Sequence, residues 1–106
     1  MIRTVDLVIA GSGSGARSAA VDALERGQHV LLVLRSADAS AARRCRRLWR
    51  TANVDATRVI VLTNAEVTCI DGVGRVEAVV IRSLSTGRLR AVNASAFLRC
   101  DDEERC

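Results

Sequence analysis

The stretch Val5-Asp6-Leu7-Val8-Ile9-Ala10-Gly11-Ser12-Gly13-Ser14-Gly15-Ala16 constrains this chain more than any other. A short apolar run gives way to a glycine-rich turn and then to helix-forming residues with buried-face spacing. A strand, a tight turn and a helix in that order leave little freedom in how the backbone continues. Gly11 permits the sharp exit from the strand, and Gly13 lets another backbone or a ligand approach with no Cβ in the way. Ala16, third in a G-x-G-x-x-G/A pattern, lets the helix lie close to the sheet. The free N–H groups and positive dipole end of such a helix suit a nucleotide pyrophosphate. Two readings stay open here, a dinucleotide-binding turn and a tight turn of purely structural use.

The next segments continue the pattern. Helical spacing from Ala16 to Leu24 ends at Gly27, a residue suited to a left-handed cap. Val30 to Leu34 is a continuous apolar run, as in a parallel strand covered on both faces. A second helix, capped by Asp38 or Ser40, is predicted through an arginine cluster to about Ala52, followed by a strand over Val59 to Leu62. The order β-α-β-α-β predicts right-handed parallel crossovers. Beyond Thr63 the pattern alternates: Glu66 to Ile70, a turn at Asp71 to Gly74, Val76 to Leu84, a turn at Ser85 to Arg88, then Leu89 to Val92. These read as a three-stranded antiparallel meander, with a last sheet strand at Ala96 to Leu98. The fold class expected is α/β, a Rossmann-type parallel sheet followed by that meander. Residues 1–100 are read as one domain and 101–106 as an acidic tail.

Composition narrows the chemistry. With 106 residues and 49% hydrophobic content, the chain has enough apolar surface for one core. No apolar run approaches the roughly 18 residues of a membrane span. Asp6 inside the first apolar run and the lack of a cleavage motif argue against a secretory signal. All sixteen basic residues are Arg, so no lysine can serve as base or Schiff-base nucleophile. The four cysteines (Cys45, Cys69, Cys100, Cys106) form no C-x-x-C pair. With a single His there is no zinc-ligand set of usual spacing, so no metal is expected. Free thiols are the norm in a reducing compartment, and a cytoplasmic location is expected. Cys45, among arginines, is a candidate for a lowered pKa and a redox role. His29 opens the second strand, away from the glycine turn, and is read as a surface residue. No catalytic residues are assigned.

Arg43, Arg46, Arg47 and Arg50 share one helical face without acids to balance them. That face is open to two readings, a solvated surface or a dock for an acidic partner or a cofactor phosphate. With only Trp49 and Phe97 as aromatics, nucleic-acid readout by stacking has little support.

Three stretches resemble the NADPH-binding domain of thioredoxin reductase-like flavoproteins, in the pyridine nucleotide-disulfide oxidoreductase family. They are Gly11 to Ala16; Val33-Leu34-Arg35-Ser36 followed by Ala41-Ala42-Arg43; and Val61 to Val67 with Gly74-Arg75-Val76-Glu77-Ala78-Val79 and Ser85-Thr86-Gly87. The similarity spans nearly the whole chain. It implies a dinucleotide cofactor held by Gly11, Ser12, Gly13, Ser14, Gly15 and Ala16. Arg35 stands where the family has the first basic residue of its 2′-phosphate motif. The residues agree: an NAD or FAD site usually has an acid at that strand end, and here Leu34, Arg35 and Ser36 bring none. Arg35 would pair with a 2′-phosphate and Ser36 would donate to it, with Arg43 or Arg44 a turn further along the helix to compensate for the missing arginines. NADPH is therefore expected in preference to NADH; the other reading of Arg35 is a solvated strand end. Ser36 replaces the family's second arginine and Ser40 a later one, while Ser18 and Ala19 stand where the family often has an acidic pair.

The 106 residues carry no second glycine fingerprint for FAD and no redox C-x-x-C, so FAD is expected only on a partner chain. The chain is read as the pyridine-nucleotide domain or subunit of an FAD-dependent oxidoreductase, with a flavoprotein or a second copy as partner. The alternative is a degenerate, non-catalytic Rossmann module acting in regulation or docking through the arginine-rich helix 43–50.

Overall fold

The computed structural model describes residues 4–11, 14–35, 43, 47, 58–72 and 76–99. Strand β1 (Thr4–Ala10) leads into helix α1 (Ser14–Glu25), then β2 (Val30–Val33), β3 (Val59–Leu62), β4 (Ala65–Asp71), β5 (Ala78–Ser83) and β6 (Leu89–Arg99). The six strands form one mixed sheet in the order β3-β2-β1-β6-β5-β4. The first three are mutually parallel, β6 runs parallel to β1, and β4-β5 and β5-β6 pair antiparallel. This is a Rossmann-like α/β fold.

Strand β2 is buried at every position because both faces are covered. On one side Ile9, Val30, Leu32 and Leu34 meet Ala16, Ala20, Ala23 and Leu24 of α1. On the other, Val5, Val8, Leu31 and Val33 meet Ala65, Val79, Ile81, Val92 and Ala94 from the antiparallel strands. The 4-5-6 strands thus fold over the face that α1 leaves bare. Each fully buried Val, Leu or Ile side chain in these layers contributes about 1.5–3 kcal/mol.

Asp6 has a local explanation. The N–H groups of Asp6 and Leu7 both donate to the His29 carbonyl, at 2.9 and 3.1 Å, just ahead of the Leu7–Val30 start of the β1-β2 pairing. The Asp6 carboxylate, exposed, accepts the His29 backbone N–H at 2.8 Å and fixes the start of the pairing.

Helix α1 ends in a Schellman motif. The Gln28 N–H donates to the Ala23 carbonyl and the Gly27 N–H to that of Leu24, both at 3.0 Å, with Gly27 at φ 78°. The reversal from β3 to β4 takes two residues, Thr63 and Asn64. Asn64 adopts φ 56°, a conformation Asn tolerates better than most residues.

Strand β6 corrects the expectation of a meander strand at Leu89 to Val92 and a separate strand at Ala96 to Leu98. It is continuous over eleven residues and changes partner at Asn93, which pairs with both Ala78 of β5 and Thr4 of β1. No turn residue interrupts it, and its inward positions Val92 and Ala94 are both buried across the change. Of the expected second helix, Arg43 and Arg47 are helical and exposed; the rest lies outside the described residues, as do the acidic tail and Cys45.

Candidate functional site

The parallel strands present their carboxyl ends along one edge. Strand β1 has β2 on one side and β6 on the other, so the connection out of β1 turns one way and the later strand lies the other way. In open α/β sheets that switch point is where ligands settle. Gly11 leaves β1 here with φ 134°, a backbone conformation L side chains rarely adopt. Its N–H is already committed to the Val33 carbonyl at 3.1 Å, so Gly11 supplies the turn and not an anion donor. At the start of α1 Ser14 opens the helix and Gly15 is exposed, and the first turn of a helix leaves backbone N–H groups without a partner inside it. No acidic residue occupies the first turn to repel an anion. Ala16 is fully buried and begins a stripe with Ala20 and Ala23 that seats α1 on the sheet. Ser12, Gly13 and Ser36, also expected at this site, lie outside the described residues.

Arg35 emerges at the end of β2 with its side chain 75% exposed. It is not isolated: its Nη2 lies 3.8 Å from Oε1 of Glu66 on β4. Glu66, only 19% exposed, also accepts a hydrogen bond from Arg82 Nη2 on β5. Arg35 just past β2, Glu66 of β4 and Arg82 of β5 thus form an Arg-Glu-Arg group with a formal charge of about +1. Sequence reasoning assigned Arg35 and missed Glu66 and Arg82. The reason is a bulge in the β4-β5 ladder between Val67 and Cys69. Counted back from the Asp71–Ala78 pair without it, Glu66 would oppose Ser83; the extra residue moves it opposite Arg82. Arg43 is helical and exposed.

Two further groups line this end of the sheet. Arg99 ends β6 opposite Ala10 and stacks over the Phe97 ring at 5.2 Å from its centroid. A cleft of about 860 Å³ opens between the end of β3 (Leu62, Thr63, Asn64) and the β5-β6 turn (Ser83, Arg88). That is within the volume range of small-molecule sites, about 300–1,000 Å³. His29, by contrast, sits exposed at the amino end of β2. Cys69 is exposed on β4, with Sγ 3.8 Å from Asp71 Oδ1. No helix among the described residues is long and apolar enough to cross a membrane.

No protein-family model and no curated protein matches the chain. Solved structures do. A thioredoxin reductase from Giardia duodenalis superposes with a TM-score of 0.68 at 21% identity, over 93% of this chain and 31% of that one. Thioredoxin reductase from Streptococcus pyogenes MGAS5005 gives 0.66 at 20% identity, over 92% and 31%. The myxobacterial chondrochloren halogenase CndH, described as a variant of FAD-dependent halogenases, gives 0.71 at 17%, over 92% and 37%. The chain therefore shares its Rossmann-like fold with thioredoxin reductase-like oxidoreductases and spans about a third of their length.

Proposed function

We propose that this chain binds a dinucleotide, NADPH in preference to NADH, as the pyridine-nucleotide part of an FAD-dependent oxidoreductase of the thioredoxin reductase type. The observation that carries the reading is the coincidence at one sheet edge of the Gly11 turn, the acid-free start of α1 and Arg35. The pyrophosphate would rest on the N–H groups of the first helical turn, at Ser14 and Gly15, with Ser12 and Gly13 as the further expected contacts. Ala16 keeps those donors close to the sheet. Arg35 would pair with the 2′-phosphate, and Ser36 and Arg43 complete that end of the site. A bound nicotinamide supplies hydride chemistry, and this chain's residues bind and orient it. The flavin would lie outside these 106 residues, with a flavoprotein or a second copy as the expected partner, in the cytoplasm.

The likeness to an FAD-dependent halogenase favours a second reading, in which the same glycine turn holds FAD. Parallel calorimetric titrations with NADPH, NADH and FAD separate the two. Saturable binding tightest for NADPH is expected. Tightest binding of FAD moves the flavin onto this chain, and no binding of any of the three refutes both readings. Arg35→Glu should weaken NADPH more than NADH by about 1–2 kcal/mol, the low end for a charge-assisted pair because the site is exposed. Equal losses for the two cofactors would remove Arg35 from the 2′-phosphate.

A further inference from the structure

One carboxylate at the end of β2 serves two guanidiniums. Glu66 is mostly buried and hydrogen-bonded by Arg82, while Arg35 stands 3.8 Å from its other oxygen and is far more exposed. Any phosphate that pairs with Arg35 therefore arrives beside a fixed negative charge that already attracts the same cation. We propose that Glu66 is a specificity-determining residue: it restrains Arg35 and so limits how strongly this chain prefers a 2′-phosphorylated cofactor, with Arg82 acting as the counterweight that keeps Glu66 from neutralising Arg35 fully. The inference rests on the dinucleotide reading above. It concerns two residues, Glu66 and Arg82, that the motif around Arg35 does not contain.

The geometry gives the two partners opposite signs. Glu66→Gln removes the charge, keeps the shape and leaves an oxygen for the Arg82 hydrogen bond, so Arg35 is released toward the phosphate. Arg82→Met removes the competing cation, so Glu66 turns its full charge on Arg35. The size of each effect follows from the worth of partly exposed ion pairs, a factor of about two to five in affinity. The ladder positions also matter: Glu66 and Arg82 are registered neighbours on adjacent strands, and their pairing does not depend on a cofactor.

The test is a double-mutant cycle on the 106-residue chain, read by calorimetric titration with NADPH and NADH at low and at raised salt, with urea unfolding as a check on folding. Glu66→Gln should tighten NADPH about two- to fivefold and leave NADH within twofold. Arg82→Met should weaken NADPH by a similar factor, and in the Glu66→Gln background it should have no further effect. Raised salt should shrink both changes. NADPH affinity that is unchanged or weaker in Glu66→Gln overturns the proposal. So does a loss of NADH affinity in that variant, which would mean Glu66 accepts from the ribose hydroxyls. If Arg82→Met does not fold, the sign of the Glu66→Gln change still decides. Wild-type protein that binds neither cofactor overturns the dinucleotide reading itself, and this inference with it.

Discussion

On the dinucleotide reading, Ala16 joins packing to binding in a way that one pair of substitutions can separate. The α1 stripe Ala16, Ala20 and Ala23 is fully buried against Ile9, Val30, Leu32 and Leu34, so the helix sits a methyl's depth from the sheet. Ala16→Leu adds three carbons where none of that face is free. Overpacking of this kind costs about 1–3 kcal/mol. With a urea slope of about 1–2 kcal/mol/M, the unfolding midpoint should fall by roughly 1 M. The strain is relieved most easily by lifting the first turn of α1 off the sheet by on the order of 1 Å, which carries an N–H donor from about 2.9 Å beyond the roughly 3.5 Å at which a hydrogen bond is lost. A charge-assisted bond is worth about 1.5–3 kcal/mol, so NADPH affinity should drop at least about tenfold. Ala23→Leu places the same strain seven residues on, about 10 Å along the helix. It should lower the urea midpoint comparably and leave NADPH affinity within about twofold. Equal loss of affinity in both variants, or no destabilisation in either, would refute the reasoning that the seat of α1 positions the anion donors.

Two further outcomes concern stability alone and are read by urea unfolding. Gly27→Ala should cost about 1 kcal/mol, because the left-handed cap strains any L side chain. The cost is torsional: among the described residues a Cβ there meets only Arg58 Nη1, at 3.8 Å, and Gly27→Asn should recover part of it. Val79→Ala should cost about 2–3 kcal/mol, from two buried methyl groups and the cavity they leave, because Val79 is fully buried where β5 covers the central strands. A cost under about 0.5 kcal/mol would mean the antiparallel strands do not close the core.

What the sequence reveals depends on whether one local signal carries each element. β1, the turn, α1 and β2 are legible because each has its own marker: Gly11 at the strand exit, Gly27 at φ 78° ending the helix, and the unbroken Val30 to Leu34 run reporting cover on both faces. Arg35 is legible as a base where such strands usually end in an acid. The continuity of β6 is not, because a strand that trades one neighbour for another at Asn93 leaves no mark in its own residues. Glu66 meeting Arg82 is hidden for a related reason. Register across a hairpin is counted from its turn, and the bulge after Val67 changes the count. A misplaced count of one residue moves a charged group from beside a cation to beside a serine.

The antiparallel strands hold two duties on opposite faces. Ala65 and Ile81 point into the core under β1 and β2, while their neighbours Glu66 and Arg82 point outward to meet Arg35. Alternation along a strand keeps the two sets apart, so charge at the site can change without disturbing the layer that keeps the parallel strands dry. On the dinucleotide reading the separation fails at α1, because the residue that seats the helix would also set the height of its donors. Substitutions at the outward Glu66 and Arg82 should therefore shift which cofactor is preferred while the fold holds, whereas substitutions under the start of α1 should lose stability and binding together.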